Sequence, residues 1–190
     1  MQYLDLLDSV PRAIVSAFIK IGIWVLPILF FVKIIEKSNP ISYLGLRNHF
    51  KSGLKWAGWF SLALIAYFIL LNLTLLKNEI ELQLGFNELL NTVLFVGIIE
   101  EIVFRGFLLR KLMDSYRFWI ANTISSLLFV SIHFPYCFYK GLFEFPSILS
   151  PIITVFILGM IFGFVYRKSH SLWSVIIIHS MYNFLVSIFI

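Results

Sequence analysis

What most constrains this chain is how little of it can be left in water. Apolar windows of about 20 residues, the length needed to cross a hydrocarbon core of about 30 Å, recur at residues 13–35, 54–76, 88–112, 118–139, 148–166 and 172–190. Hydrophobic side chains make up 60% of the 190 residues and only 13% are charged, with a mean hydropathy of +0.93. Soluble domains are about 45–50% apolar. The pattern predicts an all-α polytopic membrane protein of about six transmembrane helices enclosing an intramembrane polar site. A single membrane domain, residues 1–190, accounts for the chain.

The polar residues between the windows set expectations for topology. Residues 1–12 carry Asp5 and Asp8 and lack the basic start and small-residue cleavage site of a signal peptide, so the first span is expected to stay. Lys33, Lys37, Arg47, Lys51 and Lys55 surround the first loop, Arg110, Lys111 and Arg117 the third, and Arg167 and Lys168 the fifth, whereas the even loops hold only Lys77 and Lys140. By the positive-inside rule the odd loops face the cytoplasm, and both termini the outer side, of what reads as a bacterial cytoplasmic membrane. Lys20, near the outer end of the first span, reads as a snorkelling anchor, and Glu79, Glu81 and Glu88 as solvated charge in an outer loop. The net charge of +5 is spread without a patch, so the bilayer rather than nucleic acid is the expected partner. Cys137 is the single cysteine, which excludes an intrachain disulfide or a multi-cysteine metal site.

Against this background the third span stands out. Its stretch Gly97-Ile-Ile-Glu-Glu-Ile-Val-Phe-Arg-Gly106 sets two acids and an arginine in an otherwise apolar run. A charged side chain at mid-membrane costs roughly 2.5–3.5 kcal/mol on insertion scales, so each needs a partner or a task. Glu101 and Arg105 are four apart on one helical face and can pair. Glu100 points about 100° away with no cation at helical spacing, in a medium that disfavours its charged form, a position suited to a general base.

Further polar groups sit deep in later spans. The fourth holds Phe129-Val-Ser-Ile-His133, with Pro135 predicting that the helix ends or bends just past the histidine. In the fifth, Gly159 and Gly163 form a small-xxx-small pair for close helix approach. The sixth places His179 and Asn183 on one face. At 1.5 Å per residue Glu100 lies ~18 Å from the outer end of its helix and His179 ~10 Å from the cytoplasmic end of its own, depths that allow them to meet.

An acid, two histidines and an asparagine in a water-containing pocket suffice for peptide-bond hydrolysis without a nucleophilic side chain. Glu100 would take a proton from water oriented by His133, while His179 and Asn183 donate to the developing oxyanion. In that version no cofactor is required. A divalent metal held by Glu100, His133 and His179 is the competing arrangement, although no His-Glu-x-x-His helix is present. Two other classes fit intramembrane acids and histidines: a non-enzymatic immunity or binding protein of the same fold, and a small proton-coupled transporter.

Glu100-Glu101-x-x-x-Arg105, Phe129-x-x-x-His133 and His179-x-x-x-Asn183, in this order on successive hydrophobic helices, resemble the CAAX prenyl protease 2 and bacteriocin-processing (CPBP) family of intramembrane proteases. The resemblance covers residues 88–190; the two spans before it match in general character. It implies a glutamate-dependent endopeptidase with a conical helical core open to membrane and cytoplasm. Glu100 with His133 would activate water, and His179 and Asn183 would form the oxyanion side. Glu101, Arg105 and Phe129 complete the motifs as supporting residues. The implied substrate is a hydrophobic, lipidated or membrane-spanning peptide, and bacteriocin maturation and self-immunity are family-level expectations.

Overall fold

The computed structural model describes residues 9–76 and 84–189. Asp5, Asp8, Lys77, Glu79 and Glu81 therefore lie outside the described residues. Seven helices account for the described part, and no strand occurs among these residues: α1 (Val10–Ile34), the short α2 (Pro40–Tyr43), α3 (Phe50–Leu75), α4 (residues 88–113), α5 (Phe118–Tyr139), α6 (Leu149–Ser169) and α7 (Leu172–Phe189). Helices α1, α3, α5, α6 and α7 are long and apolar enough to cross a membrane. Helix α4 has the length but carries Glu100, Glu101 and Arg105.

The molecule is apolar on both its inside and its outside. Phe18, Ile23, Phe30, Trp59, Leu62, Leu70, Leu73 and Trp119 are exposed over the helix flanks, a surface that water would not tolerate and lipid tails would cover. The interior joins Val32, Leu44, Leu109, Phe162, Val165, Leu172, Val175 and Ile178 into one cluster. Helix α7 runs along α3 and α4, and α5 packs against α6.

Two close approaches draw the helices together. A Cβ at Gly163 would stand 1.8 Å from Asn122 Oδ1, so only glycine lets α6 come this near α5. A Cβ at Gly97 would stand 2.7 Å from Ser180 Oγ. That contact seats α7 against α4 beside the acidic pair, one residue from His179.

Hydrogen bonds gather the loops after α1, α4 and α6 at one end. Asn39 Oδ1 caps α2 by accepting from Ile41 N (3.0 Å) and Ser42 N (3.3 Å). The loop behind α2 is pinned by Leu172 N donating to Gly45 O (2.9 Å) and Trp173 Nε1 donating to Leu46 O (2.9 Å). Lys111 pairs with Glu36 at 2.7 Å.

Candidate active site

The site is built on the middle of α4. The turn containing Glu100 and Glu101 is α-helical, Val96–Glu101, and is flanked by wider π-type turns, Glu88–Phe95 and Ile102–Leu109. Such turns recur at functional positions of helices. Despite the widening, Glu101 and Arg105 meet as their spacing predicts, Arg105 Nη1 donating to Glu101 Oε1 at 2.8 Å, with the side chains 1% and 0% exposed.

The guanidinium is enclosed further. Arg105 Nη2 donates to Gly159 O at 3.2 Å, and the cation lies 4.4 Å from the centre of the Phe129 ring and 5.3 Å from that of Phe162. Removed from water, the charge is met by one carboxylate, one carbonyl and two aromatic faces.

Glu101 also does something that the sequence did not reveal. His179 Nδ1 stands 2.8 Å from the same Oε1, and a carboxylate paired with arginine can only accept, so Nδ1 carries the proton. The ring is thereby fixed with Nε2 facing Glu100 Oε2 at 3.8 Å, too long for a direct hydrogen bond. Glu100 Oε2 is shielded and makes no hydrogen bond to any described residue. Buried carboxylate oxygens are almost always satisfied, so this one requires an explanation.

Phe129 ties the histidines together. Its ring centre lies 4.8 Å from that of His133 and 6.0 Å from that of His179, and its carbonyl oxygen accepts from His133 Nδ1 at 2.8 Å. His133 Nε2 thus keeps its lone pair. The break predicted from Pro135 falls at the histidine: α5 is helical over Phe118–Ser131, turns, and resumes at Phe134–Tyr139.

Two cavities meet this cluster. One, of about 190 Å³, is lined by Glu100 together with Lys20, Trp24, Val96, Phe104 and Ile132. The other, of about 360 Å³, is lined by His133, Asn183, Tyr182, Cys137 and Thr154. The sequence-predicted residues are therefore divided. Glu100, Glu101, Arg105, Phe129 and His179 form one contiguous network, whereas His133 and Asn183 face the second cavity. Asn183 Nδ2 donates to Thr92 O of α4 at 3.0 Å. Among the described residues no three of His, Cys, Asp and Glu gather closely enough to hold a metal ion. Glu100, His133 and His179 thus do not present a ready ligand set.

The sequence reads Lys20 as a snorkelling anchor near the outer end of its span, and its position in the fold adds a neighbour. Lys20 is partly buried and shares the cavity of Glu100. The available signal was its isolation, since a lysine inside an apolar helix calls for an anion and Glu100 was the acid left over. Phe162, against both His179 (ring centres 5.2 Å apart) and Arg105, gave no such signal.

A helical bundle with a lipid-facing exterior and an acid, histidine and arginine network in its interior is an integral membrane protein organised around an intramembrane polar site. The family profile described as Type II CAAX prenyl endopeptidase Rce1-like matches residues 82–185, the part of the chain that carries all three motifs, and the chain belongs to this family of membrane proteases. Curated proteins and solved structures give no match.

Proposed function

We propose that the chain is an intramembrane endopeptidase that hydrolyses a peptide bond in a membrane-associated peptide or protein tail, with Glu100 as its base. The observation that carries this reading is the shielded Oε2 of Glu100, unbonded and 3.8 Å from His179 Nε2 at the wall of a cavity. A water beside these two atoms gives up a proton to Glu100 as its oxygen attacks the scissile carbonyl carbon. The carbonyl π electrons move onto oxygen, and the tetrahedral species collapses with the amine departing and taking the proton from Glu100. No acyl-enzyme is formed.

The remaining residues have roles consistent with their contacts. His133, across Phe129 from His179, presents its free Nε2 to the second cavity, where it would orient substrate and water. His179 donates to the oxyanion through Nε2 as an imidazolium whose Nδ1–H is held by Glu101 at 2.8 Å. Asn183 spends one amide hydrogen on Thr92 O and has a second for the oxyanion. Glu101 and Arg105 are positioning residues acting through His179. The loops after α1, α4 and α6 face the cytoplasm of a bacterial membrane, as their basic residues predict.

The test is to incubate purified protein in vesicles with membrane peptides and to read new termini by mass spectrometry, comparing wild type with His133→Ala, with and without a chelator. Cleavage by wild type in the presence of chelator and its loss in His133→Ala are expected. Cleavage abolished by chelator would replace the metal-free chemistry, and absence of any wild-type cleavage would favour a binding or immunity role.

A further inference from the structure

The end of the molecule where the loops converge holds a third cavity, which the hydrolytic chemistry leaves unused. It measures about 370 Å³, and its walls include Ser42, Asn48, His49, Arg110, Arg167 and His170. No aspartate or glutamate lines it. Glu36 and Asp114, on neighbouring loops, both pair with Lys111, at 2.7 and 3.1 Å. Two arginines thus share a concave site with hydrogen-bonding groups and no internal anion.

The backbone supports the view that this chemistry is selected. His49 and His170 both adopt left-handed conformations, with φ of 56° and 55°, where glycine or asparagine is the usual occupant. Each stands at a helix end, before α3 and after α6, and their rings lie 5.6 Å apart. Two strained positions thus hold neighbouring imidazoles at the wall of the basic cavity. The arginines lie over aromatic faces: Arg110 is 4.3 Å from the centre of the Tyr43 ring while donating to Tyr43 O and to the Tyr166 hydroxyl, and Arg167 is 4.2 Å from that of Phe118.

An adjoining groove decides the kind of anion. Arg167 and His170 also line a concavity with Lys168 and the aromatic side chains of Phe118, Trp119 and Phe164. Trp119 stacks on Phe164 with ring centres 6.2 Å apart and is itself well exposed. A basic cavity that opens into an aromatic groove on the outer flank of α5 and α6 fits a molecule with a phosphate at one end and a hydrocarbon chain at the other.

We propose that the cavity formed by Arg110, Arg167, His49 and His170 binds the phosphate of an anionic glycerophospholipid, whose acyl chain lies over Trp119 and Phe164. The absence of a lining carboxylate disfavours zwitterionic headgroups, whose ammonium would find no partner there. The site is independent of Glu100.

The test equilibrates the detergent-solubilised full chain with equimolar dioleoylphosphatidylglycerol and dioleoylphosphatidylcholine and reads bound lipid by native mass spectrometry. Wild type should enrich the glycerol lipid, and Arg110→Gln with Arg167→Gln should reduce that enrichment by about five-fold for each arginine removed. Lys51→Gln with Lys55→Gln, which takes the same charge from exposed positions outside the cavity, should leave it unchanged, as should excess inorganic phosphate. Equal retention of both lipids by wild type, or enrichment that survives loss of the arginines, would overturn the proposal. So would equal weakening by the lysine variant. Displacement of the lipid by inorganic phosphate would make this a free-anion site instead. Should the double arginine variant fail to fold, Arg167→Gln alone, at an exposed position, gives the same comparison.

Discussion

Pairing of Glu101 with Arg105 can be separated from every other contribution by a double-mutant cycle. Glu101→Gln leaves a guanidinium that is 1% exposed with only Gly159 O and two ring faces. Arg105→Met leaves a carboxylate that is 0% exposed with only His179. Removing one member of a buried pair costs about 3–5 kcal/mol because the other charge is stranded. For a chain of this size, about 2–4 °C of melting temperature per kcal/mol translates that into a fall of roughly 6–20 °C. In the double variant neither charge is stranded, so its loss should be smaller than the sum of the single losses by about 2 kcal/mol or more. The melting temperature of the detergent-solubilised protein, followed by tryptophan fluorescence, supplies all four corners. Activity should not recover with stability, because His179 Nδ1 would still lack its carboxylate. Additive single losses would refute the argument that the two charges hold each other.

Further outcomes are specific to single positions. Gly163→Ala should destabilise by about 1–3 kcal/mol, since its Cβ would fall 1.8 Å from Asn122 Oδ1. Gly58→Ala, inside α3 with nothing within 4 Å, should instead raise the melting temperature slightly through a gain of about 0.5–1 kcal/mol. Lys20→Met should lower kcat/KM by about ten-fold or more with little change in melting temperature, because it removes the cation of the Glu100 cavity; unchanged kinetics would return Lys20 to an anchoring role. A cysteine at exposed Asp114 should be labelled by an impermeant maleimide only from the cytoplasmic side, Cys137 being 1% exposed and silent. Labelling from outside would invert the topology.

Whatever depended on neighbours along the chain was legible in the sequence. Hydropathy located the five helices long and apolar enough to cross a membrane to within a few residues, because a membrane helix must be apolar over a fixed length. The spacing of Glu101 and Arg105 gave their bond, and Pro135 gave the break at His133. The contact between Glu101 and His179 joins residues 78 apart, and no periodicity within either helix encodes it. It depends on Gly97 letting α7 approach α4, a condition visible only once both helices are placed. The same holds for Lys20, whose nearness to Glu100 depends on how α1 leans on α4, and for Asn183, whose helix face was legible but whose bond to Thr92 O was not. Glu100 was read from what it lacked, and in the folded chain its Oε2 makes no hydrogen bond to any described residue.

The most direct measurement of that distinction is single-turnover peptide cleavage by Glu100→Gln beside wild type, with melting temperatures recorded on the same samples. Glutamine keeps the shape of the side chain but cannot take a proton from water. The account predicts a variant that melts close to the wild-type temperature, since Oε2 makes no hydrogen bond that would be lost, and that cleaves at least about a hundred-fold more slowly. Cleavage at the wild-type rate by a folded Glu100→Gln protein would contradict it.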